Sequence, residues 1–334
     1  MPAVFNSRDL RSANLSQNDS LNILEFYNFH VSVFTTLGII GLFTNILVIK
    51  IVYRNSKLKN TPSFLILHLA IADILSSGQP IVIGFALMYL APLNWPHQSI
   101  MMICRLAFYW WLVGYSLSAA MLTLISIERY RAIIQPIKLR LAGRRLNYII
   151  LSLWIACFII SLPITLLADV DPIYYFDCQV EVDLYPTFAD IYFTIITVAV
   201  YFLPLVIISI CYTCIIRKFR RDTKIALQLN RKLTVNQLLK KKIMRMLILV
   251  TANFMLSSLP WIVSLVVIAY NDISPNDFYH SENNLLAAAA IIIKVLFSLL
   301  PVTNSLIYFL TNPTIHQELK RWFTKRKIVF VRPV

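Results

Sequence analysis

Apolar residues in this chain gather in seven long segments that short polar stretches separate. Each segment is near or above the roughly 20 residues that a membrane-spanning helix needs. The segments cover about 31–53, 62–90, 101–132, 146–168, 189–217, 241–270 and 285–310. This pattern predicts an all-α membrane protein whose core is a seven-transmembrane helix bundle.

Composition supports the same class. Of the 334 residues, 58% are hydrophobic and only 14% are charged, whereas about a quarter of the residues of a soluble domain are charged. The net charge of +15 could indicate nucleic acid, but the basic residues lie between apolar segments rather than on a soluble surface with interleaved aromatic residues. We therefore expect membrane lipids as partners and no nucleic acid.

The basic residues also predict an orientation. The connections after the first, third and fifth segments, together with the C-terminal tail, hold 27 of the 31 Lys and Arg residues. Cytoplasmic loops carry such an excess. We predict a multi-pass plasma-membrane protein with an extracellular tail over residues 1–30, a bundle over 31–310 and a cytoplasmic part over 311–334. That last part contains a short amphipathic C-terminal helix at 314–323, which is expected to lie on the inner leaflet.

Two features of the predicted outer side fit an extracellular location. Asn14 and Asn18 begin glycosylation sequons in the extracellular tail. Cys104 opens the third segment, and Cys178 lies in the second outer loop. Both cysteines face an oxidising compartment, so we predict a disulfide bond that holds this loop on the third helix.

Polar residues inside the apolar segments mark candidate functional positions. Asp73 interrupts the second segment, and an intramembrane carboxylate is costly unless it is paired or used. Asn45 in the first segment is expected to donate to Asp73. Glu128 and Arg129 end the third segment, at the predicted boundary between hydrocarbon and cytoplasm.

These residues carry a resemblance to a known family. The chain resembles the rhodopsin-like class (class A) of G-protein-coupled receptors over roughly residues 31–323, in the order and spacing of ten motifs. They are Asn45, Asp73, Cys104, Glu128-Arg129-Tyr130, Trp154, Cys178, Pro204, Tyr212, Phe254 with Pro260, and Asn304 with Tyr308.

The resemblance implies a switch at the cytoplasmic end. Glu128 is expected to pair with Arg129 at rest, beside Tyr130. On activation the arginine would extend towards Tyr212 and Tyr308, and a heterotrimeric G protein would enter the cavity that opens. Asn304 belongs to the same switch region, and Ile137 in the second inner loop is expected to pack on the G protein. The resemblance also implies a sodium site formed by Asp73, Ser118 and Asn304, with Asn45 nearby.

The chain departs from the family in several places. Ser258 stands where the family usually has tryptophan, and Ser305 stands where proline is usual, although Pro301 one turn earlier predicts a shifted kink. The sixth segment begins with lysines and supplies no acid to hold Arg129, so Glu128 alone is expected to hold it. Together these departures leave the level of basal activity open. Leu300 and Pro301 replace polar groups around the sodium position, which leaves sodium open as the only candidate cofactor.

The ligand class is predicted from charge and aromatic residues. Trp111 stands where amine receptors have an aspartate, and Ser298 stands where opsins have their lysine. The outer segments hold 12 acidic and four basic residues, a field that would attract a cation. We predict a basic or amidated neuropeptide that binds at Trp111, Tyr115, Trp261, Lys294 and Glu181. Alternatively, the acids only complement the topology signal, and Lys294 either extends towards the interface or meets an acidic group of the ligand or Glu282.

Other functions remain as alternatives. A chemosensory receptor for a small molecule would share the fold. A seven-span transporter would need a charged or broken path through the spans, but only Asp73 and Lys294 interrupt them. An enzyme is not expected, because the five histidines are scattered and paired intramembrane carboxylates are absent from the sequence pattern.

Overall fold

The computed structural model describes most of the chain as helix. It covers residues 17–55, 58, 60–86, 95–136, 142–170, 178–180, 185–229, 235–270 and 284–329. The helices are α1 (Gln17–Arg54), α2 (Thr61–Phe85), α3 (His97–Ile134), α4 (Gly143–Ser161), α5 (Ile164–Leu167), α6 (Pro186–Ile196), α7 (Leu203–Gln228), α8 (Val235–Tyr270), α9 (Asn284–Ser298), α10 (Leu300–Thr311) and α11 (Pro313–Val329). A π-helical segment, Thr197–Phe202, joins α6 to α7.

The predicted spans agree with these helices. Within the described ranges, six helices are long and apolar enough to cross a membrane, counting α6 and α7 as one. The pair α9 and α10 makes a seventh that bends by 46°. Pro301 lies at the start of α10 and cannot donate a helical hydrogen bond, so the expected kink forms beside it. Large apolar side chains such as Phe43 and Leu256 are exposed, as expected for a surface that faces lipid.

Two short strands cap one end of the bundle. β1 (Ala168–Val170) pairs with β2 (Cys178–Val180) in antiparallel fashion, with Val170 opposite Cys178. We call this end of the bundle the hairpin end and the opposite end, which carries α11, the α11 end. We call this pair of strands the hairpin.

Both ends of the chain are more helical than predicted. α1 begins at Gln17, well before the predicted first span, so residues 17–30 of the predicted tail continue the first helix. The amphipathic helix α11 covers Pro313–Val329, longer than the predicted 314–323. Ile315 is fully buried against the bundle, and the Arg54 guanidinium lies 5.8 Å from the Trp322 ring.

Close packing at the centre depends on one glycine of α3. A Cβ atom on Gly114 would lie 2.6 Å from the carbonyl oxygen of Ala72 and 2.7 Å from the nitrogen of Ser76. The absent side chain lets α2 approach α3, and this approach places Asp73 beside Ser118.

Candidate functional site

A polar cluster occupies the middle of the bundle. Asp73 on α2 is almost fully buried. Its Oδ1 accepts a hydrogen bond from Ser118 Oγ at 3.1 Å. The Asn304 amide nitrogen lies 3.2 Å from Oδ2 and 3.4 Å from Oδ1. Three helices, α2, α3 and α10, therefore meet at one carboxylate.

The predicted partner of Asp73 from α1 is wrong. The Asn45 amide donates to the carbonyl oxygens of Gly41 and Pro301, each at 2.9 Å, and not to Asp73. Pro301 lies in the first turn of α10, and its carbonyl oxygen accepts from Asn45 beside the bend between α9 and α10. Asn45 thus ties α1 to the bend of the seventh span.

The predicted charged pair forms at the α11 end of α3. Arg129 Nε and a terminal guanidinium nitrogen both contact Glu128 Oε2. Both side chains are largely buried, with exposed fractions of 18% for Arg129 and 8% for Glu128. Tyr130 is partly buried and packs against the core. Because Glu128 and Arg129 are neighbours on one helix, their ion pair does not itself connect α3 to another helix.

The two tyrosines expected around the activated arginine lie elsewhere in this arrangement. The Tyr212 hydroxyl is 3.4 Å from Thr251 Oγ1 on α8. Tyr308 is fully buried, and its hydroxyl has no hydrogen-bond partner among the described residues. Arg129 is thus held by Glu128, as predicted for the resting arrangement, and the hydrogen bond described for Tyr212 leads to α8.

Sequence reasoning missed the residue that joins α8 to the polar cluster. The Asn253 amide donates to Thr303 Oγ1 at 2.8 Å and to Asn304 Oδ1 at 3.1 Å. Asn304 in turn donates to Asp73, so the hydrogen bonds continue from α8 to α2. An amide within the apolar run of the sixth segment was the available signal, since such groups mark helix contacts.

A cavity of about 230 Å³ opens near the hairpin end and extends to the polar cluster. Its outer part is lined by Cys178 and Lys294, and its deep part by Asp73 and Ser118. Between them lie aromatic rings that we call the aromatic cluster: Trp111, Tyr115, Phe254, Trp261 and Phe297. A second space of about 20 Å³, between α3, α6 and α8, is apolar.

Four predicted ligand-binding residues surround this cavity, namely Trp111, Tyr115, Trp261 and Lys294. The Trp111 ring centroid lies 6.1 Å from that of Trp261 and 5.5 Å from that of Phe297. Tyr115 stacks on Phe254 at 5.2 Å. Trp261 reaches the cavity although it stands three residues after the position where the family usually has its tryptophan. Phe297 was not predicted, but its spacing of three residues from Lys294 puts both on one helix face.

The two cysteines of the predicted disulfide lie near the start of α3 and on β2. Cys104 Sγ donates to the carbonyl oxygen of Asp169 at 3.4 Å. Asp169 stands in β1 next to Val170, which pairs with Cys178. Arg105 also holds this strand, through the carbonyl oxygen of Ala168 at 3.1 Å. The hairpin therefore lies on the start of α3 as expected, and the covalent bond stays a prediction.

Several predicted positions lie outside the described residues. These are Glu181, Ile137 and Asn14, so their roles stay predictions. Asn18 lies within the first turn of α1, and its glycosylation also stays a prediction.

The sodium site has fewer ligands than the resemblance implied. Asp73 and Ser118 present oxygen atoms, but Asn304 turns its amide nitrogen to Asp73 and Asn45 is engaged with Pro301. The described residues contain no group of three His, Cys, Asp or Glu side chains that could hold a metal ion. A carboxylate and a hydroxyl suit a hard cation, and they form an incomplete shell by themselves.

Comparisons with known proteins place this geometry in a family. The chain is similar to the protein named tachykinin-like peptides receptor 86C of Drosophila melanogaster, with 26% identity over 72% of this chain and 49% of the relative. It is also similar to somatostatin receptor type 4 of Rattus norvegicus, with 27% identity over 69% and 59%. Lysophosphatidic acid receptor 6 of Gallus gallus is 25% identical over 77% and 80%. The chain thus spans about half to three-fifths of the length of the first two.

Structure and sequence profile agree on the fold. The crystal structure of squid rhodopsin superposes with a TM-score of 0.70 and 17% identity, covering 89% of this chain and 85% of that chain, which shows a shared fold. The profile described as 7 transmembrane receptor (rhodopsin family) matches residues 44–308. Because this match covers most of the chain, from the first span to the end of the seventh, the protein belongs to the rhodopsin family of seven-transmembrane receptors.

Proposed function

We propose that this multi-pass membrane protein is a plasma-membrane receptor that binds an extracellular basic or amidated peptide and activates a heterotrimeric G protein. The family assignment favours a receptor over the transporter and enzyme alternatives. The proposal places the hairpin end outside the cell and the α11 end in the cytoplasm, as the distribution of Lys and Arg predicts.

One observation carries this proposal. A single helix, α3, lines the cavity with Trp111 and Tyr115 near one end and carries the Glu128–Arg129 pair near the other. Ser118, between them, joins Asp73. A ligand that binds more tightly to one position of α3 than to another would favour that position. It would thereby shift the equilibrium between two arrangements of the Glu128–Arg129 pair.

The peptide class is supported by several relatives. Those named receptors for tachykinin-like peptides, somatostatin and substance P point to peptide ligands. Aromatic rings around the cavity suit cationic groups. A second candidate is an amphiphilic lipid with an anionic head. It is favoured by Lys294, the only Lys or Arg among the described residues that line the cavity, and by the similarity to a lysophosphatidic acid receptor.

The experiment that tests the function is nucleotide exchange on a panel of purified G proteins, with the full-length receptor in lipid vesicles. It is run first without ligand, then with a library of amidated basic peptides and with lysophosphatidic acid. Exchange stimulated by peptides supports the proposal. Stimulation only by lysophosphatidic acid supports the second candidate, an amphiphilic lipid ligand. No exchange under any condition contradicts G protein activation.

Sodium is a further proposal for the same receptor. Asp73 and Ser118 would hold the sodium ion in the resting arrangement, and the bound ion would weaken agonist binding. The test measures agonist affinity across sodium concentrations with choline as the replacement cation. A sodium effect that vanishes in Asp73→Asn supports the site, and an equal effect in both proteins contradicts it.

A further inference from the structure

A wall of aromatic rings divides the space inside the bundle near the hairpin end. The cavity of about 230 Å³ and the apolar space of about 20 Å³ share four lining residues, which we call the aromatic partition: Phe108, Trp111, Tyr115 and Trp261. The Trp111 ring centroid lies 6.1 Å from that of Phe108 and 6.1 Å from that of Trp261, in both cases edge to face. Such contacts favour fixed ring positions. The rings therefore separate one space from the other.

The two sides of the aromatic partition differ in size and polarity. The space beside α6 has room for about one water molecule, and apart from the four shared residues the side chains described around it are apolar. The larger cavity is bounded on its far side by α1, α2 and α9, and polar side chains line it there. A ligand group larger than water therefore requires the side of α1, α2 and α9.

Gln79 of α2 supplies an amide to that side of the cavity. It stands six residues after Asp73, so it lies about 9 Å further along the helix towards the hairpin end. Within the described ranges, the Gln79 amide makes no hydrogen bond to another residue. Amides inside membrane helices usually bond to a neighbouring helix, whereas this one lines the cavity with two donors and an acceptor available.

Pro80 adds a backbone acceptor next to Gln79. It lies inside α2 and has no N–H, so the carbonyl oxygen of Ser76 lacks the donor that a helix usually places four residues later. Ser76 and Pro80 both line the cavity. This turn of α2 thus combines a side-chain amide with a backbone carbonyl oxygen. Together they complement the acceptor and the two donors of a primary carboxamide.

The charges around the cavity favour a neutral group at this place. Lys294 on α9 and Asp73 on α2 both line the cavity, and their charges have opposite sign. A carboxylate would be attracted by Lys294 but repelled by Asp73, and an ammonium group would meet the reverse. A carboxamide is polar without a net charge, so neither residue opposes its binding.

We propose that Gln79 binds a primary carboxamide of the ligand between α1, α2 and α9, and that the aromatic partition packs against the residue that carries this group. The inference rests on the proposed receptor function and deepens it. Among basic or amidated peptides, it selects those that end in an amidated apolar or aromatic residue. The side chains of Asn and Gln carry the same chemical group, and the experiment separates these two sources.

The test uses N-acetylphenylalaninamide as the probe, since it has a primary carboxamide and one aromatic ring. The matched control is N-acetylphenylalanine methyl ester, which has nearly the same shape and keeps the carbonyl oxygen but lacks the two donors. The thermal midpoint of the purified full-length receptor is measured against the concentration of each compound. We expect the half-saturating concentration of the amide to be at least about tenfold lower, the factor that corresponds to about 1.4 kcal/mol.

Two results with the wild-type receptor would overturn the proposal. Equal half-saturating concentrations of amide and ester would show that the donors of the carboxamide are not recognised. Tighter binding of the free acid, N-acetylphenylalanine, would show that Lys294 selects an anion instead.

Variants locate the effect. Gln79→Met keeps the length of the side chain but removes its amide, and it is expected to raise the half-saturating concentration of the amide probe by at least about tenfold. The ester should bind to this variant as it does to the wild type. Gln228→Met, at the exposed end of α7, is the matched control and should keep the preference for the amide. An unchanged preference in Gln79→Met overturns the proposal, and the comparison of amide and ester in the wild type decides if that variant does not fold.

Failure of this inference differs from failure of the proposed function. Each peptide that stimulates nucleotide exchange is prepared as the C-terminal amide and as the free acid, and equal potency overturns the C-terminal source in favour of an Asn or Gln side chain. If peptides act equally on the wild type and on Gln79→Met, the receptor stands and the carboxamide site falls. If neither peptides nor lipids stimulate exchange while the amide probe binds through Gln79, the cavity chemistry stands and the signalling proposal fails.

Discussion

Two largely buried charged groups differ in what they connect. Asp73 accepts from α3 and α10, and through Asn304 it is linked to Asn253 on α8. The Glu128–Arg129 pair joins two neighbours on α3. The first holds four helices together, whereas the second only fixes the direction of one arginine. A movement of α8 away from α10 would therefore break the hydrogen bonds of Asn253. The Glu128–Arg129 pair does not resist this movement, because it lies within α3.

The largest effect is expected at Arg129. Arg129→Ala removes the group that is expected to extend towards Tyr212 and Tyr308 when the cavity for the G protein opens. Ligand-stimulated nucleotide exchange should fall by at least about 30-fold, which corresponds to roughly 2 kcal/mol for the charge-assisted hydrogen bonds of the extended arginine. Arg131→Ala, two residues further on the same helix, is the matched control and should retain most activity. Equal losses in both variants would contradict a specific role.

A large rise in ligand-free nucleotide exchange is expected when Asn253 is replaced. Asn253→Ala removes two hydrogen bonds between α8 and α10, each worth about 0.5–1.5 kcal/mol. If α8 moves on activation, the active population should rise by at least about fivefold, which corresponds to about 1 kcal/mol. Ligand-free nucleotide exchange measures this change. Ser264→Ala is the control, because Ser264 bonds only within α8. Unchanged basal exchange in Asn253→Ala would show that α8 is restrained elsewhere.

A smaller rise is expected at Glu128. Glu128→Gln keeps an acceptor oxygen for Arg129 but replaces a hydrogen bond between charged groups by a weaker one, a difference of about 1 kcal/mol. Basal exchange should increase by roughly two- to fivefold, less than in Asn253→Ala, since the pair crosses to no other helix. The same assay with Glu318→Gln, whose pair with Arg321 lies on α11, serves as the control. A rise larger than that of Asn253→Ala would reverse the ranking of the two regions.

The last effect concerns stability and is expected at Ser118. Ser118→Ala removes one donor to Asp73 and should reduce the free energy of unfolding by about 1–3 kcal/mol. The thermal midpoint of the purified receptor measures this loss. Ser305→Ala should cost less, because Ser305 donates to Val302 on its own helix. Identical midpoints for the two variants would indicate that the polar cluster adds nothing to stability.

Hydropathy predicted the spans well because lipid requires long apolar helices regardless of their partners. Segment 285–310 matches the ends of α9 and α10 to within one residue, and segment 241–270 ends with α8 at Tyr270, although α8 begins earlier, at Val235. The direction of the Asn45 amide could not be predicted in this way. It depends on the carbonyl oxygen of Pro301, which lies 256 positions away in the sequence.

In the candidate site too, some residues could be predicted from the sequence, whereas others depend on how the helices pack. Trp111, Tyr115 and Lys294 were predicted from aromatic and charged side chains in the outer parts of the third and seventh segments, and the structure brings them to one cavity. Asn253 was missed because its partners on α10 depend on how two helices pack, although an amide in an apolar run was itself a signal. The continuity of the cavity with Asp73 depends on the packing of several helices, and only the structure gives it.

The most direct test measures whether α8 moves away from α4 at the α11 end of the bundle when a G protein binds. Spin labels are attached at Tyr148→Cys on α4 and Leu238→Cys on α8, since Tyr148 is 68% and Leu238 is 51% exposed. The account predicts that the distance between the labels increases when a nucleotide-free G protein binds, and that Asn253→Ala shifts part of the ligand-free population to the longer distance. An unchanged distance while nucleotide exchange proceeds would contradict it.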